Sequence, residues 1–307
     1  FGDAIGNLSG GGSIIGNGGI TLDDLNSTFT YSGTIAAGGP LTLRGAVSAA
    51  GTQVLSGTTY SFTSLVVGRA TLTFNGAPTV AVTGTFAVGD TNGAGVASGA
   101  ITAVANINGG TFTVGHVEVG NRQSGSATVN ATINQTAGTV TVSGGAVDGA
   151  NLRIGHWPST TTFYNLSGTG ILNPAVAIGA GVDGVGTFTQ TGGTLNTPLV
   201  IVNLRNNNGS GTFTFNGGTA NIGANGFTTA GTPGTNSIIN LGGGIIRSTA
   251  TFATAHPAVL TNAVGPAIFD TNGNNITWSG ALSGAGGLNK NTGVGNLLLT
   301  ATNTYSG

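Results

Sequence analysis

The sequence contains no cysteine and no methionine, and only 5% of its 307 residues are charged. Without cysteine there can be no disulfide framework. Seven Lys/Arg against eight Asp/Glu leave a net charge of −1, which offers no attraction to a phosphate backbone and argues against nucleic-acid partners. No apolar run reaches the roughly 18 residues of a membrane-spanning helix, and no segment of useful length follows the 3.6-residue helical period. The chain starts at Phe1 without a Met, which fits either removal of a signal segment or a piece of something longer.

What the sequence does have is glycine, 59 residues of it. Glycine with Ser, Thr, Asn and little charge is the composition of disorder. Three features oppose that reading: 38% of residues are hydrophobic, mean hydropathy is +0.26, and Val, Ile, Leu, Phe and Ala recur in short runs flanked by Thr, a good strand residue.

These runs repeat. The segments LTFNGAPT (72–79), ANINGGTF (105–112), INQTAGTV (133–140), YNLSGTGI (164–171), FTQTGGTL (188–195), FTFNGGTA (213–220) and INLGGGII (239–246) align on a register mark at Ala77, Gly110, Gly138, Thr169, Gly193, Gly218 and Gly244. Their first column is Leu72, Ala105, Ile133, Tyr164, Phe188, Phe213 and Ile239, and their third is Phe74, Ile107, Gln135, Leu166, Gln190, Phe215 and Leu241. The column between holds only Asn or Thr: Thr73, Asn106, Asn134, Asn165, Thr189, Thr214 and Asn240. A two-residue period puts the first and third columns inside and the second outside. Gln135 and Gln190 interrupt the inner column, so their amides should find partners or lie near a corner. A second motif, apolar–any–apolar–Gly, precedes each segment and ends at Gly68, Gly89, Gly120, Gly155, Gly179, Asn203 and Gly223.

Strands this short cannot bury a face alone, whereas stacked coils bury a continuous core. The expected fold is therefore all-β, a right-handed parallel β-helix (β-solenoid). At about 25 residues per coil it has about a dozen coils, with no separate globular domain across residues 1–307.

The ends carry a different signature. Residues 276–307 read ITWSGALSGAGGLNKNTGVGNLLLTATNTYSG, and residues 29–61 read as a looser copy. The first resembles the autotransporter-associated β-strand repeat through Ser279, Gly280, Leu282, Gly284, Gly286 and Leu288, then Leu297, Leu299, Asn303, Thr304, Tyr305 and Gly307. Its centre, Asn289 to Gly293, is longer than that repeat's. The second copy lacks the Lys and keeps only Thr59-Tyr60-Ser61 of the close. Residues 1–64 and 270–307 thus form repeat-like modules around irregular Gly-rich coils at 65–269. The resemblance implies a passenger-type β-helix of the bacterial outer surface or the extracellular space.

Chemistry-bearing residues are sparse. His116, His156 and His256 have no metal-type spacing. Polysaccharide-cleaving β-helices need carboxylates on adjacent coils, and Asp148 and Asp183, 35 residues apart, are expected not to be adjacent in a column. Asp90-Thr91-Asn92-Gly93 and Asp270-Thr271-Asn272-Gly273 open like calcium loops but lack the downstream Glu, so tight turns are the better reading. Asn7, Asn26, Asn165 and Asn275 begin glycosylation-type triplets. No catalytic residue, metal or cofactor is expected.

Arg69, Asp90, Arg122, His156, Trp157, Asp183 and Arg205 follow the second motif. They should stack along one edge, either as a solvated rim or as a surface for glycans or a protein partner. Phe1, Ile5, Leu297, Leu298 and Leu299 mark the two ends, where copies of the chain could join, since Gly33 and Gly280 sit in versions of one SG-x-x-x-x-G module. The function expected is a structural fibre or matrix, with a surface adhesin as the alternative and a carbohydrate-active enzyme third.

Overall fold

The computed structural model describes residues 3–45, 51–90, 99–121, 127–205, 209–230, 236–291 and 293–307. Every pairing between named strands is parallel, and no helix occurs among these residues. The strands stack into a solenoid-like column with three faces, because each coil turns at three corners, many of them containing Gly or Pro. Some strands bend without interruption across all three faces, as Ala100–Val119 and Ser210–Thr228 do.

The first face carries the three predicted columns in register. Leu72 pairs with Ala105, Ala105 with Ile133, Ile133 with Tyr164, Tyr164 with Phe188, Phe188 with Phe213 and Phe213 with Ile239. All seven are buried. Their aromatic members stack, with Phe188 centred 6.0 Å from Tyr164 and 5.5 Å from Phe213. The outward column between them is laced by side chains: Asn106 Nδ2 donates to Thr73 Oγ1 at 3.1 Å, Asn134 Nδ2 to Asn106 Oδ1 at 3.0 Å and Asn165 Nδ2 to Asn134 Oδ1 at 2.9 Å. A second such row, Asn173–Asn196–Asn221, runs along the next face with two bonds of 2.7 Å.

Both inner glutamines are buried and held. Gln135 Nε2 donates to the carbonyls of Gly138 and Ile171, and its Oε1 accepts from Tyr164 at 2.7 Å. Gln190 Nε2 donates to those of Gly193 and Thr219, while its Oε1 is buried without a partner. Each thus reaches the corner just ahead of it.

Two alignments shift. The register mark before the second face falls on Pro78 and Gly170, one residue beyond Ala77 and Thr169, because Thr79 pairs with Thr111 and Thr139 with Ile171. The third-face turn after Ile154 is equivalent to that after Ala180, so Gly181 takes the place given to Gly179. Gly223 follows a second-face strand instead, since Asn196 pairs with Asn221. The two SG modules also occupy different corners. Gly33 separates first-face Thr28–Tyr31 from second-face Thr34–Ala37, whereas Gly280 separates third-face Ile276–Trp278 from first-face Leu282–Ser283.

Candidate functional site

The third-face turn has a fixed backbone requirement. Gly89, Gly120, Gly155 and Gly181 take φ of 77°, 82°, 75° and 69°, and Asn203 takes 60° in the same column. Asn is the side chain that best tolerates this region after Gly, and here its Nδ2 also bonds the Gly209 carbonyl at 2.9 Å. These five coils therefore leave the strand in the same direction, and the residues beyond it form a common edge.

Of the seven residues expected on that edge, Arg69, Asp90 and His156 lie two positions past the last paired strand residue, and Trp157, Asp183 and Arg205 lie three past it. Arg122 lies outside the described residues. Arg69, Asp90 and His156 are buried, so they are packed into the edge and not displayed on it. Asp90 accepts from Asn121 Nδ2 at 2.8 Å. Its Thr91-Asn92-Gly93 extension lies outside the described residues.

His156, Asp183 and Arg205 belong to a larger ionic knot. Glu118 and Arg153 are neighbours on the outer side of adjacent coils, and the Arg153 Nη2 bonds Glu118 Oε1. Arg153 Nη1 donates to Asp148 Oδ2 at 2.8 Å, and His156 Nδ1 lies 3.3 Å from Glu118 Oε2. Arg205 spans two acids, bonding Asp148 through Nη2 and Asp183 through Nη1, the latter at 3.0 Å. Asp148 and Asp183 share no column, as expected, yet the one guanidinium of Arg205 bridges them. The cause is the chain at 143–151, which folds back over the third face. It places Asp148 with φ 55° and buries Ala150 in a small outer core with Ala177, Val182, Ile201 and Leu204.

Burial opposes ionisation of Glu118, but the nearby His156 imidazole and the Arg153 charge together outweigh it and hold the carboxyl below the usual range. The Arg205 hydrogen bond does the same for Asp148, and Asp148 in turn raises Arg205. Carboxyls kept ionised in this way are poor proton donors at neutral pH. Buried charges that are mutually paired fix a loop more than they add net stability. From the sequence, Asp148 is weighed only against Asp183, and neither Glu118 nor Arg153 is singled out. The usable signal was the middle residue of VEVG and LRIG, which puts Glu118 directly below Arg153.

The remaining candidates are turn and core groups. His116 Nε2 meets the Gly145 carbonyl at 2.9 Å. His256 is buried, its Nε2 2.8 Å from Ser237 Oγ and its Nδ1 2.7 Å from the Pro257 carbonyl. Ser237 is itself fully buried. At Asp270–Gly273 the Asn272 N–H donates to Asp270 Oδ1 at 2.9 Å and Arg247 Nε to Oδ2 at 2.8 Å, the geometry of a tight turn. Among the described residues no three His, Asp or Glu side chains group as metal ligands. At the ends, Ile5 is 39% and Leu298 54% exposed, Leu297 and Leu299 pack partly against the core, and Phe1 lies outside the described residues. No protein-family model, curated protein or solved structure matches the chain.

Proposed function

We propose that the chain is a stretch of an extracellular, structural β-solenoid belonging to a bacterial surface fibre or matrix. In this reading it is a right-handed rod of about a dozen coils, on the order of 60 Å long at about 4.8 Å per coil, similar in kind to autotransporter passengers. The observation that carries it is the openness of the stack along its axis. Asp3–Ile5 and Ser13–Gly16 pair on one side only, as do Leu288–Lys290 and Leu297–Leu299 at the other end. Each end offers parallel edges on the second and third faces, the first face being met by Gly10 at one end and by Thr304 and Ser306 at the other, and such edges recruit further strands. The contact is heterologous and does not close, so its product is a filament, made by end-to-end copies or by continuation of the same stack. With little charge, side-by-side packing meets little repulsion. The reading assigns no catalysis, metal or cofactor to the chain.

Light scattering and negative-stain microscopy of the isolated chain test it. The expected result is rods one solenoid wide that lengthen with concentration. A monodisperse monomer at high concentration, from a gene that encodes only this segment, overturns it.

A further inference from the structure

A groove of about 520 Å³ crosses three adjacent coils on the flank of the first face, well away from the open ends. Its walls come from Asn130, from Pro158, Ser159 and Thr161, and from Asp183 and Val185 on the third coil. Asn130, Thr161 and Val185 are successive members of one outward column. The lining is hydroxyls, an amide and two apolar surfaces, and its single charged group, Asp183, is met by Arg205. So the groove favours a neutral ligand with many hydroxyls over a polyanion or a polycation.

Beside it stands an anomaly. Phe163 lies two residues beyond Thr161 on the same outward side and is 37% exposed. Its stacked neighbours are Thr132 and Thr187, and the column also holds Thr52, Thr71 and Thr212, with Val104 and Ile238 as its half-buried aliphatic members. Among the described residues Phe163 is the one exposed aromatic ring. Placing an aromatic face in water between two threonines costs apolar hydration and is useful where a ligand covers it. The walls are also fixed in advance. Val129 N donates to the Ser159 carbonyl at 3.1 Å, Thr160 Oγ1 to the Trp157 carbonyl at 2.6 Å and Ser210 N to the Gly184 carbonyl at 3.0 Å. A preformed site spares the ligand the cost of ordering it.

We propose that this groove, with Phe163 as its platform, binds a neutral hexose or N-acetylhexosamine polymer. The apolar C–H face of one sugar ring rests on Phe163, and the hydroxyls of its neighbours bond Asn130, Ser159 and Thr161. This goes beyond the structural role, since a fibre needs no such groove.

The test is calorimetric titration of the whole chain with cellohexaose, chitohexaose, maltohexaose and mannohexaose, with heparin as the polyanion arm. Saturable binding of at least one neutral hexaose is expected, weakened tenfold or more by Phe163→Thr and by Asn130→Ala and unchanged by Thr71→Ala. Phe163→Thr restores the residue type of its neighbours, so its melting curve should match the parent. No binding by any neutral hexaose, binding of heparin alone, or binding indifferent to both groove variants overturns the proposal.

Discussion

The Tyr164 hydroxyl donates to Gln135 Oε1 at 2.7 Å inside the core, across one step of the stack. Both residues are buried, so each satisfies a polar atom of the other that water cannot reach. Tyr164→Phe strands the Gln135 oxygen and should cost about 1–3 kcal/mol, as should Gln135→Leu, which strands the phenol. The double variant should cost less than the two singles added. A denaturant-melt double-mutant cycle reads the coupling, and strict additivity would contradict the pairing.

Phe188 touches Tyr164, Phe213 and Phe215 and is completely buried. Phe188→Ala should destabilise by about 3–5 kcal/mol through lost transfer energy and the cavity left behind. A melting curve like the parent's would contradict the inward assignment of this column.

Arg153→Met leaves Glu118 buried without its guanidinium and should cost about 3–5 kcal/mol, while Arg153→Met combined with Glu118→Leu should recover much of that loss. The readout is thermal melting, with proteolysis at 143–151 reporting release of the loop that Asp148 ties down. A combined variant no more stable than the single one would show that the loop is held by other contacts.

Stability should fall with acid in two steps. Burial lowers the His256 pKa, so its neutral form is the native one. The stability it contributes is complete above its unfolded value of about 6.5 and is lost as pH falls from there to the lower folded value. His256→Gln should remove this step. Glu118, Asp148 and Asp270 also have lowered folded values. Their contribution is complete above the unfolded carboxyl range of about 4 and is lost as pH falls through the folded values. Melting temperature against pH checks both steps.

Asn203→Ala should cost about 1–2 kcal/mol for a left-handed residue without a tolerant side chain, and Asn203→Gly less. Gly155→Ala in the same column should be worse, because its Cβ would stand 2.7 Å from the Gly186 nitrogen. Denaturation midpoints rank the three, and equal midpoints for Gly155→Ala and Asn203→Gly would contradict the column.

The first-face columns were legible residue by residue because each coil repeats the same two-residue alternation, and the inner side is mostly apolar, its polar exceptions Gln53, Gln135, Thr162 and Gln190 being held by hydrogen bonds. The turns were less so. In a chain this rich in glycine, Gly179 and Gly181 look alike, and only strand pairing shows that Gly181 carries the positive φ. The same ambiguity made the SG modules at Gly33 and Gly280 look equivalent although they turn different corners. The ionic knot was hidden for another reason. An outward Glu118 or Arg153 reads as solvated until the chain at 143–151 closes over it, and that is a tertiary event with no local pattern. Phe163 falls in a column whose neighbours are mostly hydroxylic, and its oddity emerges only once the columns are stacked.

The asparagine rows have an arrow. In each bond the residue later in sequence gives its amide hydrogen to the earlier one: Asn106 to Thr73, Asn134 to Asn106, Asn165 to Asn134, Asn196 to Asn173 and Asn221 to Asn196. Carboxamide dipoles therefore add along the axis, amino side toward the low-numbered coils and carbonyl side toward the high-numbered ones. Beyond Asn221 the column continues with Arg247, a cation at the oxygen-facing end of its row. A rod built this way is vectorial. Its two tips are chemically unlike, and side-by-side neighbours pointing the same way present matched dipoles to one another while opposed neighbours do not.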